Sequence, residues 1–394
     1  MNRIPFENSK FEKVRIRFLI SEKVKSKIQV SEAKSQNEAQ YPFFTSGENI
    51  LSFDKFLCDD ETIFLNTGGN ASVKFYNGKA SYSTDTYAIE SKNQNYCLTK
   101  FLFYCLNDTK FINDTFFEGS ALKHLQKDKF KNFRIPLPPL AEQERIAEFL
   151  DKKCASIDSS IENLEQKTKS LAQYKKALIT QCVTKGLNPK ILEFKDSGIP
   201  WIRQIPKHWE ISKIKYVAKI RSENSSFNAE NDKYIGLENV AGYLNSLIET
   251  NTEYENSIQA VCKKGDILFG KLRPYLSKVI IAPFNCFCSS EFLQFINLKC
   301  YFKFFYYFLL NKNFIENVNS STYGAKMPRA NSNYIMNLNF LVPPLNEQKE
   351  IAEILDKKCK KIDNLSANYK EQIKTLKEYK KALIYECVTG KKQI

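Results

Sequence analysis

Two series of apolar residues dominate the hydrophobic pattern of the chain, each stepping by three and then four positions. The first series occupies residues 147–182 and the second residues 352–387. A spacing of about 3.5 residues over about five heptads is typical of a coiled-coil seam rather than of an ordinary amphipathic face. Prolines precede each series, and Gly186 and Gly390 follow as stop signals. The pattern predicts two helices of roughly 44 residues, or about 65 Å, each.

The two predicted helices are copies of one another. Residues 138–184 align with residues 343–389 without a gap, at an offset of 343 − 138 = 205, and more than half of the positions are identical. If a pseudo-two-fold axis relates the copies, the helices form an antiparallel coiled coil. Lys175 and Lys380 then occupy equivalent seam positions. There they either help to set the register at a cost in stability or extend to solvent from a loose seam.

The segments that precede the helices differ in sequence but share landmarks. "RIPFENSKFEKVRIRFLIS" near the N-terminus is similar to "QIPKHWEISKIKYVAKIRS", although it lacks the tryptophan of "PKHWE". We therefore expect the first strand of the first domain to be divergent or shortened. The predicted parts are a first domain at 1–137, a first helix at 138–186, a linker at 187–203, a second domain at 204–342 and a second helix at 343–394.

Within each domain, short β-like runs and single helical runs are mixed. The strand candidates are residues 72–77, 233–240, 265–272 and 277–282, and the helix candidates are residues 96–107 and 299–318. Because few strands alternate strictly with helices, the α+β class fits better than a doubly wound sheet. The expected architecture is two related α+β domains separated by two long helices, as a pseudo-two-fold internal repeat.

The charge of the chain favours a polyanionic partner. The formal net charge is +15 and the pI is near 9.1, which makes nucleic acid the first candidate. A hydrophobic content of 43% is enough for folded cores. The alternative explanation of the charge is a surplus of surface lysine without a specific partner.

The number and spacing of the eleven cysteines are not typical of a disulfide framework, since the number is odd and no CxxC pair occurs. Those in the repeated helices fit as small apolar residues, which favours a reducing cytoplasm. The N-terminal residues are charged and unlike a secretory signal, and no apolar run approaches the roughly 20 residues of a membrane span. We expect a cytoplasmic protein that has no contact with a membrane.

Catalytic signatures are missing from the sequence. Only two histidines are present, "NTGGNAS" has no lysine where a phosphate-binding loop needs one, and no GxGxxG occurs. We interpret the glycine pair as a tight turn. A metal site or a stand-alone enzyme is therefore not expected.

Four basic and aromatic segments are candidates for nucleic-acid contact. Arginine and lysine can bind phosphate or guanine edges, and asparagine can pair with adenine. The candidates are Lys74, Asn77, Lys79 and Tyr82; Lys123, His124, Lys127 and Lys129; Lys271, Arg273, Tyr275 and Lys278; and Tyr323, Lys326, Arg329 and Asn331. Any one of these residues alone is an ordinary surface side chain, and the argument depends on their grouping.

The repeated segments, together with a few others, resemble those of a known protein family. "IPLPPLAEQERIAEFLDKK" and "LVPPLNEQKEIAEILDKK", with "GDILFGKLRPYLSK" and the closing "YKKALI", closely resemble the specificity subunit of type I restriction–modification systems. The similarity covers essentially the whole chain. It implies two target-recognition domains, each reading one half of a split, asymmetric DNA sequence, and two helices that fix the unspecified spacer.

The resemblance also implies partners. The helices are expected to dock two modification subunits, which methylate adenine, and ATP-driven restriction subunits are expected to join the full assembly. S-adenosylmethionine, ATP and Mg would be bound by those partners, with no cofactor or metal on this chain. The alternative is a coiled-coil scaffold whose basic domains bind RNA or protein.

Residues for helix pairing and subunit docking follow from the same comparison. The resemblance implies that the family's helix-start motif corresponds to Pro138, Pro139, Glu142 and Gln143, and to the matching Pro343, Pro344, Glu347 and Gln348. The candidates for helix–helix and subunit contact are Glu142, Gln143, Leu150, Ile157, Leu164, Leu171 and Leu178 on the first helix, and Glu347, Gln348, Leu355, Ile362, Tyr369, Leu376 and Leu383 on the second.

Overall fold

The chain forms two compact units that share the long helices. The computed structural model describes residues 6–36, 38–47, 49–189, 193–244, 246–324 and 326–394. Unit 1 comprises the described residues of Met1–Glu165 and Glu371–Ile394, and unit 2 comprises those of Gln166–Lys370. Both helices therefore contribute to both units.

Unit 1 is built around a sheet of six strands in the order β2-β7-β5-β6-β3-β4, antiparallel except for the β3–β6 pair. Two further pairs, β1–β10 and β8–β9, lie outside it. The elements in chain order are β1 (Lys13–Arg15), α1 (Ile16–Leu19), β2 (Ile20–Glu22), β3 (Tyr41–Phe44), β4 (Leu51–Phe53), β5 (Cys58–Asn66), β6 (Val73–Tyr82), β7 (Thr86–Ser91), α2 (Thr99–Leu106), α3 (Thr109–Phe116), β8 (Phe117–Glu118), β9 (His124–Leu125), α4 (Lys127–Asn132), β10 (Arg134–Pro136) and α5 (Leu140–Lys185).

Unit 2 has two sheets of four strands, in the orders β14-β21-β18-β19 and β15-β17-β20-β16. The pairs β11–β12 and β13–β22 complete its strands. Its elements are β11 (Phe194–Asp196), β12 (Gln204–Pro206), β13 (Glu210–Lys213), α6 (Ile214–Val217), β14 (Lys219–Ile220), β15 (Asn224–Phe227), β16 (Tyr234–Ile235), β17 (Ser257–Cys262), β18 (Ile267–Gly270), β19 (Val279–Ile281), β20 (Cys286–Cys288), β21 (Phe292–Ile296), α7 (Phe302–Leu309), α8 (Lys312–Ser320), α9 (Ser332–Asn337), β22 (Asn339–Val342) and α10 (Leu345–Val388).

The two units repeat one plan, and the α+β prediction is confirmed. In each, an N-terminal strand pairs with the strand that leads into a long helix, a four-residue helix follows, and two consecutive helices follow the central strands. The predicted helix at 299–318 is divided between α7 and α8, because the Asn311 side chain accepts from Asn313 N and starts a new helix. The predicted linker contains β11, which pairs with β12 at the start of the predicted second domain, and residues 190–192 of the linker lie outside the described residues.

The first strand of unit 1 is present and, at three residues, is one residue shorter than its counterpart β13, in line with the expectation of a divergent or shortened strand. β1 pairs with β10 over three residues, and Leu137 N donates to Glu12 O at 2.8 Å. Phe11 occupies the position before this strand that Trp209 occupies in unit 2. Phe11 is half-buried against the core, whereas Trp209 is 0% exposed. An aromatic side chain therefore replaces tryptophan without loss of the strand.

The cores explain the hydrophobic pattern of the short elements. In unit 1, Ile63 and Ile89 on neighbouring strands pack with Phe101 and Leu102 of α2 in one buried cluster. In unit 2, α7 is buried almost all round, and Phe304 and Phe308 contact Phe340 of β22. Each of the eleven cysteines is a free thiol, and ten of them are buried.

Burial along α5 and α10 follows the predicted 3.5-residue seam. Leu150 and Leu355 are 0% exposed, and Ile157 and Ile362 are 8% exposed, each inside the core of its own unit. Helix lengths are 46 and 44 residues. Gly186, with φ of 74°, and Gly390, with φ of 71°, follow the ends as predicted.

Ion pairs define the direction of the helix pairing within each unit. In unit 1, Asp158 of α5 pairs with Lys380 of α10, and Glu165 of α5 pairs with Lys377 of α10. Because residue numbers increase along α5 as they decrease along α10, the two helices are antiparallel in this unit. In unit 2, Lys175 pairs with Asp363 in the equivalent manner. Each seam lysine thus binds an aspartate of the opposite helix. This pairing favours a role in setting the register of the two helices over extension to solvent from a loose seam.

Candidate nucleic-acid interface

In unit 1, two loops meet beyond the end of β5. The first is the β5–β6 loop, residues 67–72, and the second is residues 119–124, which comprise the β8–β9 loop and His124 at the start of β9. Gly68 and His124 form an isolated bridge, Gly69 N donates to Lys123 O at 2.9 Å, and Leu125 N donates to Thr67 O at 3.0 Å. We call these segments the loop pair of unit 1.

Unit 2 brings together the topologically equivalent segments. They are the β18–β19 loop, residues 271–278, and the described residues of 321–331 between α8 and α9. Leu272 and Arg329 form a bridge, Arg273 N donates to Pro328 O at 2.7 Å, and Ala330 N donates to Lys271 O at 3.0 Å. This is the loop pair of unit 2, and it unites two of the four sequence candidates.

Cationic and aromatic side chains extend from the loop pair of unit 2. Tyr275 and Tyr323 are 51% and 64% exposed. Arg273 and Ser277 both have left-handed backbone, with φ of 51° and 52°, and they bracket a tight turn that starts at Pro274. Lys326 is exposed. Such side chains can bind phosphate oxygens and base edges in a groove of nucleic acid.

Four candidates of unit 2 are held by the protein itself, and the first is Arg273, whose Nη2 donates to Lys326 O at 3.5 Å. Arg329 forms a bidentate pair with Glu291, which raises the pKa of the arginine and orients its guanidinium at the surface. Lys278 Nζ donates to Leu237 O at 2.6 Å. The Asn331 side chain caps α9 by accepting from Asn333 N and Tyr334 N, so it supports the loop rather than projecting from it.

The unit 1 candidates divide among the loop pair, α4 and β6. Lys123 and His124 are exposed in the loop pair. Lys127, at the start of α4, lies over the Tyr87 ring at 4.2 Å, and burial lowers its pKa. Lys129 of the same helix pairs with Glu118. Lys127 and Lys129 therefore have partners within unit 1.

The candidates on β6 lie outside the loop pair. Lys74 Nζ donates to Thr45 O and Gly47 O, and Lys79 pairs with Asp59 and lies over the Phe56 ring. Asn77 is exposed on the strand. These residues form a different surface from Lys123 and His124, so the structure does not unite them as one site.

Tyr82 is a wrong prediction. Its ring is 1% exposed, and its hydroxyl donates to Val24 O at 2.6 Å. Burial raises its pKa to about 12. The position ends β6 on the core side of the sheet, where the ring contacts Phe64, so the side chain cannot reach a nucleic acid.

The glycine pair of "NTGGNAS" is the feature that sequence reasoning undervalued. It does form a turn, as predicted, with Gly69 at φ of 81°. Buried Asn66 holds it, because its side chain donates to Gly68 O at 2.8 Å and accepts from Ser72 N at 2.7 Å. Its position between two strands matches that of "GKLRPYLSK" in unit 2, and this positional match is the signal that could have identified it.

The helix-start residues have internal roles. Buried Gln143 accepts from Leu98 N at 2.8 Å and donates to Pro138 O at 2.9 Å, and Gln348 makes the same bonds with Tyr301 N and Pro343 O. Both glutamines are thus wrong as partner-docking residues, because they are 0% and 3% exposed.

Glu142 and Glu347 lie in the first turns of α5 and α10, where the helix dipole favours a carboxylate. Glu142 pairs with Arg145. Glu347 accepts from Trp209 Nε1 at 3.0 Å and contacts His208 Nε2 at 2.8 Å. Glu347 therefore ties the helix start to the strand β13 region of unit 2.

The apolar helix candidates belong to the cores and the seam. Leu150, Ile157, Leu178, Leu355, Ile362 and Leu383 are buried, and Leu164, Leu171, Tyr369 and Leu376 are half-buried. Their contribution is to helix pairing and to unit packing. Direct contact with another subunit would have to use the outer faces of the helices.

These observations define a class: a duplicated α+β protein in which paired helices carry two domains with equivalent but chemically different loop pairs. The family model described as "Type I restriction modification DNA specificity domain" matches residues 8–172 and 206–375, more than half of the chain. The chain belongs to this family.

Individual relatives agree with the family match. The chain is 27% identical over 336 residues to the type I restriction enzyme EcoDI specificity subunit of Escherichia coli, covering 80% of this chain and 74% of that protein. It is 28% identical over 350 residues to the MjaVIII specificity subunit of Methanocaldococcus jannaschii, covering 84% and 79%. A chain from a solved structure of a type I restriction–modification system shares the fold, with a TM-score of 0.67, 16% identity and coverage of 96% and 97%.

None of the helices in the described residues is both long and apolar enough to cross a lipid bilayer.

Proposed function

We propose that this chain is the non-catalytic DNA-specificity subunit of a type I restriction–modification system. Each unit reads one half of a split, asymmetric duplex sequence through its loop pair, and the paired helices set the unspecified spacer. Modification and restriction subunits bind to the chain and carry the S-adenosylmethionine, ATP and Mg needed for methylation and cleavage. The protein acts in the cytoplasm, where its free thiols remain reduced.

One observation carries this proposal. The two units place loops at the same topological position, yet the residues differ: glycine, asparagine, lysine and histidine in unit 1, and arginine, tyrosine and lysine in unit 2. Side chains that read bases must differ if the two half-sites differ, because each base edge needs its own donors and acceptors. The helices need not differ, and more than half of their aligned positions are identical.

The net charge of +15 supports duplex binding through phosphate contacts, which release counterions. Two half-sites about one helical turn, roughly 34 Å, apart would present on the same face of a duplex. The helix pair gives each unit a defined attachment, because the seam lysines and aspartates fix the register within each unit.

The test is a binding measurement with duplexes of defined spacer. The chain is assembled with its modification subunit, and affinity is measured on the cognate site and on sites with one base pair added or removed between the half-sites. The proposal predicts a steep loss of specific affinity for both altered spacers and a strong decrease with salt. Equal affinity for all three spacers would contradict it, and preference for single-stranded RNA over duplex would favour a scaffold function instead.

A further inference from the structure

A basic and aromatic patch is repeated in the two units on the short helix that follows the first strand. In unit 1 the sequence around α1 is "RIRFL", and in unit 2 the sequence around α6 is "KIKYV". Arg15, Arg17 and Phe18 of the first correspond to Lys213, Lys215 and Tyr216 of the second, at a constant offset of 216 − 18 = 198. Each of these three positions keeps a cationic or an aromatic side chain in both units, although the residue itself differs.

The backbone around this helix is the same in both units. Ile16 N donates to Phe133 O at 2.9 Å, and Ile214 N donates to Leu338 O at 3.0 Å. A further lysine then joins each patch from a neighbouring segment. Lys92 N donates to Leu19 O at 2.8 Å, and its equivalent in unit 2 makes the matching bond at the same length.

That equivalent is Lys299, whose N donates to Val217 O at 2.8 Å. We call Arg15, Arg17, Phe18 and Lys92 the unit 1 patch, and Lys213, Lys215, Tyr216 and Lys299 the unit 2 patch. All eight residues are exposed.

The aromatic side chains are exposed to nearly the same extent, 62% for Phe18 and 61% for Tyr216. Three cations and an uncovered ring on each unit are unusual for a surface that only meets water, since no ion pair joins any patch cation to a carboxylate of the described residues. Lys215 has polar and ring contacts instead, with Asn337 Oδ1 at 2.7 Å and the Tyr216 ring at 5.3 Å.

The patches lie at the opposite end of the sheet from the loop pairs. In unit 1, β7 begins at Thr86, paired with Asn66 beside the glycine turn, and ends at Ser91, paired with Ile20 beside α1. In unit 2, β21 begins at Phe292, paired with Gly270. It ends at Ile296, paired with Lys219. At about 3.3 Å per residue, the patch and the loop pair of one unit are about 13–17 Å apart along these strands.

We propose that each patch docks an acidic protein surface containing a recess for one aromatic ring, and that the modification subunit supplies this surface, one copy per unit. The identity of the partner depends on the proposed function. A shared partner explains why both units keep the patch although their loop pairs have diverged. The position at the far end of the sheet separates the docked protein from the bases that the loop pairs read. Arginine and aromatic residues are the side chains that most often dominate such contacts.

The experiment measures stoichiometry and affinity by sedimentation of the full chain with purified modification subunit. The unit 1 variant is Arg15→Glu/Arg17→Glu/Phe18→Ser, and the unit 2 variant is Lys213→Glu/Lys215→Glu/Tyr216→Ser. The wild-type chain is expected to bind two subunits. Each variant is expected to bind one normally and the other at least about tenfold more weakly, and the combined variant to bind both weakly.

The matched control is Lys25→Glu/Lys27→Glu, which reverses two exposed charges of unit 1 outside the patch. It should bind two subunits as the wild-type chain does. If the triple variants fail to fold, the milder Arg17→Gln/Phe18→Ala and Lys215→Gln/Tyr216→Ala replace them, with a loss of about threefold or more expected.

Unchanged binding of two subunits by the patch variants would overturn the inference. So would variants that keep both subunits but lose affinity of the free chain for duplex DNA, because the patch would then be a DNA contact. Failure of the proposed function gives a different result: the wild-type complex would form with two subunits, sensitive to the patch variants, and show no preference for any duplex sequence.

Discussion

Lys175 donates to both carboxylate oxygens of Asp363 at 2.7 Å, and this pair is the pseudo-symmetric copy of Lys380 and Asp158, which bond at the same distances. The offsets are 380 − 175 = 205 and 363 − 158 = 205, the same as that of the helix repeat. A lysine at a seam position is costly unless its charge has a partner. Here each lysine specifies one register of α5 against α10.

The two copies should differ in their importance for stability. The Lys175 side chain is 8% exposed and also donates to Tyr243 O, whereas that of Lys380 is 26% exposed. We expect Lys175→Met to reduce the local free energy of unfolding by about 2 kcal/mol and Lys380→Met by about 1 kcal/mol or less, because removing a partner from a buried pair costs more. Hydrogen exchange followed by mass spectrometry measures both.

The control for this comparison is Lys175→Met/Asp363→Leu, which removes both charges and should restore part of the lost stability. Equal losses in the two single variants, or a double variant less stable than Lys175→Met, would show that the pair does not act as described.

The helix-start glutamines predict a second stability effect. Gln143→Ala leaves Leu98 N and the carbonyls of Tyr96 and Pro138 without their partner. The expected loss is about 1–3 kcal/mol, the cost of unsatisfied buried polar groups. Denaturant unfolding compares it with Glu144→Ala, an exposed position on the same turn that should change stability by less than about 0.5 kcal/mol. A similar small change for both would argue against the role of Gln143.

The long helices were predictable from sequence because period and repetition are local signals. The seam from Ala147 to Cys182 is buried or half-buried at every predicted position. The loop pairs were only partly predictable. Nothing in "GSALKH" indicates that Lys123 and His124 meet Gly68 and Gly69, since that contact depends on the long-range pairing of strands. The prediction for Tyr82 was wrong for the same reason: its sequence neighbours are polar, but its place in the sheet buries its ring.

The corrected candidate set predicts which variants affect DNA binding. Arg273→Ala should weaken specific affinity by about 1–3 kcal/mol if the guanidinium reads a base, with the effect concentrated at one position of the unit 2 half-site. Tyr82→Phe should leave affinity unchanged, because its hydroxyl is bound to Val24 O inside unit 1. Fluorescence anisotropy on a duplex series checks both. A loss of affinity in Tyr82→Phe without loss of folding would restore that residue as a candidate.

Acid should destabilise unit 1 through Asp60. Burial opposes its charge, but hydrogen bonding and attraction from Lys23 outweigh burial and lower the pKa of Asp60 from 3.8. A lowered pKa in the folded state means that the carboxylate contributes stability above about pH 3.8, the value expected unfolded, and that this contribution is lost as pH falls through the lower folded value. Lys23→Met should therefore flatten the dependence of unfolding free energy on pH below about 4.

Lys34→Met is the matched control for this titration, since Lys34 pairs with Asp54 at an exposed site where both side chains are about half exposed or more. Its pH profile should follow that of the wild-type chain. A wild-type profile identical to that of Lys23→Met would rule out the contribution assigned to Asp60.

The central claim is that two units of one chain read the two halves of a split site independently. It is tested most directly by sequencing the methylated bases in a host that expresses the chain with its modification subunit, and then repeating this with residues 204–342 replaced by the corresponding domain of another family member. The account predicts one bipartite motif whose spacer and first half are unchanged by the replacement, while the second half changes. A motif altered in both halves, or an undivided motif, would contradict it.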